Sequence, residues 1–214
     1  MVRTRTNGRG ATGFTLIELT VVLAVIVTLA LVLTPSIANF INDSRVAKAR
    51  NDCQTIASGV YQFYRDTGFF PLWKIAQNGG PGLPSNKVQV LASRGNAPLE
   101  EVPTLWSTGV IGGLAEQLVN NAPGYALKTP TSQFGWNGPY FSSDIGADPW
   151  GNRYLINIGL IDTSPGAATL NGQPKMAVWV ISAGPNGTIE TPYTQSILSA
   201  TAIGGGDDIA VRIQ

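Results

Sequence analysis

The sequence predicts an α+β fold: a long N-terminal helix, half membrane-spanning and half amphipathic, packed on a small antiparallel sheet with long loops. Three features point to it. A nearly unbroken apolar run, GFTLIELTVVLAVIVTLALVLTP, occupies positions 13–35. Cys53, Ile56, Val60 and Phe63 then recur at spacings of three, four and three, the period of one helix face. Late in the chain, β-branched runs alternate with Gly- and Pro-rich turns, the pattern of strands joined by tight links.

From Leu19 to Leu33 the only polar residues are Thr20 and Thr28. As a helix, Phe14 to Ile37 would rise about 36 Å, enough to cross a hydrocarbon core of about 30 Å. Arg3, Arg5 and Arg9 precede the run and predict a cytoplasmic start, with the rest of the chain facing out. Pro35 lacks an amide hydrogen, so it should kink or locally melt the helix, and the polar Asn39, Asn42 and Asp43 favour melting. Thr67-Gly68 is a glycine stop, and Pro71 prevents resumption. The expected organisation is a leader at 1–13, a helix at 14–67 with its membrane span at about 14–37, and a globular domain at 68–214.

Glu18 is the one charge inside the apolar run. An ionised carboxylate in an inserting helix costs roughly 2.5–3.5 kcal/mol, and such groups usually have a partner. No lysine or arginine lies between Glu18 and Arg45, so the helix offers no cation. A cut between Gly13 and Phe14 would create an ammonium at Phe14. Within one helix that group cannot easily turn back, whereas the Glu18 of a neighbouring subunit could reach it. The charge pattern thus predicts assembly licensed by cutting.

In the globular part, residues 72–146 are rich in Gly and Pro and poor in charge, with a short helix expected over Leu114–Asn121. Trp106, Tyr125, Phe134, Trp136, Tyr140 and Phe141 are scattered there without a period. They read either as plugs pinning a long connection or as a variable face for subunit or partner contact. The phrase DPWGNRY at 148–154 is a turn. Strands are predicted over 154–161, 176–182 and 208–213, packed antiparallel against the Cys53–Phe63 stripe.

Several functions are disfavoured. The net charge of +1 provides no large basic surface for nucleic acid. The absence of histidine removes His-based triads and most zinc or haem sites. Cys53, the single cysteine, cannot close an internal disulfide and reads as a small core residue. Glu100-Glu101 and Asp207-Asp208 are adjacent pairs, which an extended chain points apart. Ser182 has no histidine to activate it. No enzyme is expected. Asn42-Asp43-Ser44 and Asn186-Gly187-Thr188 fit a glycosylation sequon, a pattern common in loops.

The start of the chain resembles the class III signal of type IV pilins and pseudopilins: a short basic leader ending in Gly13, then Phe14, then Glu18 five residues into the mature chain. Pro35 matches the proline that often interrupts the pilin helix, and YRDTGFFP resembles that family's helix exit. The resemblance implies a prepilin peptidase that cuts after Gly13 and N-methylates Phe14. GWNGPYF at 135–141, DPWGNRY, and SAGPNG at 182–187 paired with GGGDDI at 204–209 resemble phrases of the major pseudopilin of type II secretion systems. These matches span 13–71 and 135–214, while 72–134 is longer than the family's usual connection.

What the pseudopilin resemblance implies is a homo-oligomeric filament subunit, single-pass in a bacterial inner membrane with its C-terminal domain in the periplasm. Minor pseudopilins and an inner-membrane platform with an assembly ATPase would be its partners. It also implies calcium in the last loop. Asp207 and Asp208 match the family's acidic ligands, and Asn186 stands where the family usually has Asp. The loop from Gly187 to Gly206 is longer than the family pattern. Three alternatives stay open: a type IV pilin for adhesion or motility, a secreted soluble binding module cut after Ala38, and an uncleaved single-span anchor. Pilins commonly close a C-terminal loop with a disulfide, which one cysteine cannot do.

Overall fold

The computed structural model describes residues 13–73, 87–100, 104–161, 169–170, 173–197 and 206–214. The expected leader falls outside these residues, except for Gly13. In chain order the elements are α1 (Leu16–Thr67), β1 (Val90–Ala92), β2 (Leu99–Glu100), α2 (Leu105–Thr108), β3 (Ile111–Gly113) and α3 (Leu114–Leu118). Then come β4 (Leu155–Ile156), a 3₁₀ turn (Ile158–Leu160), β5 (Thr169–Leu170), β6 (Gln173–Pro174), β7 (Trp179–Ser182), β8 (Thr188–Ile189) and β9 (Ile209–Arg212). The chain divides into two compact units, Met1–Ser44 and Arg45–Gln214.

In the first unit, α1 is long and apolar enough to cross a membrane, and none of its most apolar window is buried among the described residues. Its threonines are neutralised locally. Thr20 Oγ1 donates to the Ile17 carbonyl and Thr28 Oγ1 to the Val25 carbonyl, each at 2.9 Å. A hydroxyl satisfied by its own helix costs little in an apolar phase. The local melting expected at Pro35 is not present, because helix continues unbroken on both sides. Proline removes one bond of the ladder, and flanking bonds persist, with Thr34 Oγ1 also donating to the Ala30 carbonyl at 2.6 Å.

The second unit has an α+β core. Its five-stranded sheet has the order β3-β1-β4-β7-β9. β4, β7 and β9 pair antiparallel, as does β1 with β4, but β1 and β3 run parallel. The sheet is therefore mixed, which corrects the antiparallel expectation. The reason is the connection: residues 93–110 cross over through α2 instead of turning back as a hairpin. One face of the sheet, with Leu91, Ile156, Val178 and Val180, packs on Cys53, Ile56, Val60 and Phe63 of α1. The other face, with Val90, Leu155, Trp179 and Ile181, is covered by Trp106, Ala177, Ile189 and Tyr193. Alternate residues of β7 thus enter opposite cores, which explains why the run from Met176 to Ile181 is apolar throughout.

The strand expected over 154–161 is confined to Leu155–Ile156. Asn157 ends it. Its buried amide donates to the Ala177 and Tyr193 carbonyls and accepts from the Trp179 amide, at 3.1, 2.8 and 2.7 Å. That polar clamp takes the backbone out of the extended region, and the chain turns into the 3₁₀ segment. The helix stop is as expected: Gly68 has φ +80, and its amide bonds the Tyr64 carbonyl at 2.7 Å. Trp106 and Tyr125 are buried plugs, whereas Phe134 lies exposed beside Gly68.

Candidate functional site

The residues singled out from sequence fall in two places. Gly13, Phe14 and Glu18 sit at the start of α1, with Pro35 further along the same helix. Asn186, Asp207 and Asp208 come together at the end of the β7–β9 ladder.

At the helix start, Phe14 is 91% exposed. A Cβ added to Gly13 would meet nothing within 4 Å among the described residues, so packing there does not demand glycine. Thr15 is the helix N-cap, and its side chain and that of Glu18 form a reciprocal pair. Glu18 Oε2 accepts from the Thr15 amide and from Thr15 Oγ1, each at 2.8 Å. The Glu18 amide returns a bond to Thr15 Oγ1 at 3.3 Å. This is a capping box, in which a hydroxyl and a carboxylate each satisfy a free amide at the helix start. Glu18 therefore has hydrogen-bond partners in its own helix, although it has no cation there among the described residues. The pattern T-x-x-E before an apolar run is a known start signal and could have revealed this from sequence. Phe14, Ile17, Glu18, Val21 and Val22 line one shallow groove on this face.

The terminal loop is built from turns and carboxylates. Asp148 opens the DPWGNRY turn and is buried. Its Oδ1 accepts from the Trp150 and Asn152 amides at 3.0 and 2.8 Å, and its Oδ2 accepts from Ser182 Oγ at 2.6 Å. That bond ties the turn to the end of β7, where Ser182 plays a structural part. Beyond it, the Asn186 amide donates to Asp207 Oδ2 at 3.0 Å. Asp208 Oδ2 receives three bonds, from the Glu190 amide and from the Thr191 amide and hydroxyl, at 3.0, 2.7 and 2.7 Å. Glu190 was not anticipated from sequence; its Oε1 accepts from Asn186 Nδ2 at 2.6 Å. The Asn186 side-chain oxygen is itself taken by the Thr188 amide at 2.6 Å.

The charge balance of this loop is incomplete. Glu190 Oε2, Asp207 Oδ1 and Asp208 Oδ1 are buried with no hydrogen-bond partner among the described residues. Burial pushes the Asp208 carboxyl up to about 6; bonds from Thr191 and Glu190 oppose the shift, and the Glu190 charge adds to it. Gly206, at φ +70, backs directly onto the Glu190 carboxylate, where a Cβ would collide with it. Among the described residues no three His, Cys, Asp or Glu side chains form a ready-made metal cage. Carboxylate oxygens on turns, completed by main-chain carbonyls, are nevertheless the donor type that calcium accepts. Cys53 is buried, with its thiol held protonated by desolvation, and its Sγ lies 3.7 Å from the Ile209 carbonyl.

The fimbrial protein EcpC of Eikenella corrodens is 32% identical to the chain over 109 residues, covering 48% of this chain and 67% of that protein. No family model matches the chain. No solved structure matches it either.

Proposed function

The chain belongs to the pilin-like family of fimbrial proteins, and from that premise we propose that it is the major pseudopilin of a type II secretion system. Its subunits wait in the inner membrane by α1, with the globular domain in the periplasm. A prepilin peptidase cuts after Gly13 and methylates Phe14. The released Phe14 ammonium then pairs with Glu18 of a neighbour as the helices bundle, which offsets the desolvation of both charges. A platform protein with its ATPase drives the step, minor pseudopilins cooperate, and the growing filament pushes proteins across the outer membrane. The chain itself has no catalytic role.

The observation that carries this reading is a long apolar helix, unburied among the described residues, with one carboxylate at its start. Such a surface needs lipid before assembly and like helices after it. Gly13 stands immediately before the proposed cut, and packing among the described residues does not require glycine there. The pseudopilin over the adhesive pilin is favoured by a terminal loop closed through Asp207, Asp208 and Asn186, with Cys53 buried elsewhere. Intact mass and N-terminal sequencing of protein from native membranes should find N-methylated Phe14. A start at Asn39 would replace this function with that of a secreted soluble module. Deleting the gene should stop export of type II substrates, and intact export would leave the adhesive pilin.

Asp207 and Asp208, with Glu190 beside them, would hold a calcium ion, whose charge would balance the loop. Asn186 braces Glu190 and Asp207 in this arrangement. The folded-state carboxyl of Asp208 sits at about 6, above its ordinary 3.8. A raised acid favours the folded state only when protonated. In chelator, the Asp208 contribution should therefore raise the melting temperature as pH falls from 7 toward 4. Added calcium should raise it at pH 7 and flatten that dependence. A melting midpoint at pH 7 indifferent to calcium and chelator would remove the metal.

A further inference from the structure

We propose that the cleft between the outer half of α1 and residues 140–147 binds a neutral saccharide, with Asp144 and Asp52 accepting from its hydroxyls. This goes beyond the filament reading and does not rest on it. The cleft has a volume of about 520 Å³, within the range of small-molecule sites. Lys48, Asp52 and Thr55 of α1 form one wall, residues 140–147 form the other, and Tyr154 lines it as well. Both ends of the second wall are fastened. The Phe141 ring seats on Gly59 of α1, where a Cβ would collide with it. Further along, Ser93 Oγ donates to the Gly146 carbonyl at 3.0 Å, and the Arg94 amide donates to the Ile145 carbonyl at 3.3 Å. The cleft is therefore preformed, and little has to be ordered when a ligand enters.

Two features of the lining select the ligand. The first is a set of unfilled acceptors. The Asp144 side chain is 24% exposed, yet its carboxylate accepts no hydrogen bond among the described residues, and its Oδ2 is buried. Arg94 lies against that oxygen as an ion pair, but the Arg94 side chain is 81% exposed, and a contact of that kind is worth little. Asp52 Oδ2 accepts from the Tyr154 hydroxyl at 2.8 Å, with Lys48 Nζ 3.8 Å away. Asp52 Oδ1 accepts nothing among the described residues. A carboxylate can accept about four hydrogen bonds, so the cleft has capacity for a ligand rich in donors. The second feature is charge. Lys48 faces Asp52 and Arg94 faces Asp144, so each acid in the lining already has a cation of its own chain. A charged ligand would lose water there without meeting an uncompensated counter-charge. An apolar ligand would cover the carboxylates and leave them unsatisfied. A saccharide avoids both penalties. Its hydroxyls donate to the carboxylates, and its C–H faces suit the rings of Tyr140, Phe141 and Tyr154.

Saturation-transfer NMR on the full-length protein tests this, in a zwitterionic detergent without a sugar headgroup. The neutral probes are cellobiose, lactose and chitobiose. The charged comparisons are cellobiouronic acid and the cationic, de-N-acetylated form of chitobiose. Saturating the aromatic protons of the protein should transfer signal to at least one neutral probe, and its charged counterpart should bind more weakly. Ser143→Trp sets an indole on an exposed lining residue and should abolish the transfer. Asp144→Asn should weaken binding about tenfold, the scale of losing one hydrogen bond to a charged group. Phe134→Ala, exposed and outside the lining, should bind as wild type does. If Ser143→Trp fails to fold, Asp144→Asn decides. No transfer from wild type to any of the three neutral probes overturns the proposal. So does transfer that persists unchanged in Ser143→Trp and Asp144→Asn. Tighter binding of the cationic form than of chitobiose overturns the neutral class, because the acids would then be short of a cation.

Discussion

Glu18→Ala should leave the protein inserted in the membrane and abolish filaments. Insertion depends on the apolar run, and removing a carboxylate from an inserting helix makes that step easier by roughly 2.5–3.5 kcal/mol. In the proposed filament, assembly depends on the charge. In the filament the Phe14 ammonium of one subunit would face an alanine in the next, a buried cation with no counter-charge. Breaking a buried pair by deleting one partner costs about 3–5 kcal/mol, more than a hundredfold in an association constant. The cap is lost as well, since both Thr15 donors fall on Glu18 Oε2. The measurement is a comparison of membrane-bound subunit with filaments sheared from cells. Normal filaments from Glu18→Ala would remove electrostatic pairing from the mechanism and leave helix packing alone to drive assembly.

What could be read from sequence follows from the range of the signals. The apolar run and the Cys53–Phe63 stripe are periodic over many residues, and α1 with its buried face was legible for that reason. β7 was legible because it lies in an unbroken apolar run, and β9 because Ile209, Val211 and Ile213 alternate with period two. β1 and β3 are three residues each, and β3 contains Gly112 and Gly113, so neither stands out from the turn-rich background. Their parallel pairing is set by a crossover through residues 93–110, which leaves no local trace. Asn157 shows the same limit. A buried asparagine that stops a strand can be recognised only once its partners from Ala177, Trp179 and Tyr193 are in place.

The site residues divide along the same line. Glu18 was conspicuous because it is a charge among apolar residues. The cap that holds it is written in the Thr15–Glu18 spacing, where the partner is a neutral hydroxyl and an amide instead of a cation. Glu190 had no local mark at all. Its bond to Asn186 spans only four residues, but it sits against Gly206 because β7 and β9 bring distant turns together. Long-range contacts of this kind place the buried carboxylates side by side, so the charge problem they create is a property of the fold.

Phe63→Ala should unfold the globular unit at a much lower temperature without touching membrane insertion. Phe63 is fully buried. Its ring meets Phe69, Tyr125 and Tyr140 edge-on, with centroids 5.8, 5.0 and 5.6 Å away. Two of these partners, Tyr125 and Tyr140, come from the Gly- and Pro-rich stretch after the helix, so one side chain joins α1 to both. Truncating a buried phenylalanine costs about 3–5 kcal/mol, through lost transfer energy and the cavity left behind. Total stabilities run about 5–15 kcal/mol, so the loss is a large fraction. For a chain of this size it corresponds to roughly 10 °C or more in melting temperature. Phe69→Ala is the control, because that ring is 38% exposed and leaves a smaller cavity. Tryptophan fluorescence of the full chain in detergent, followed through heating, reads both variants. The signature is opposite to that of Glu18→Ala: Phe63→Ala weakens the folded unit and spares the N-terminal charge pair. Equal melting of Phe63→Ala and Phe69→Ala would mean that the aromatic cluster is not what holds Tyr125 and Tyr140 against α1.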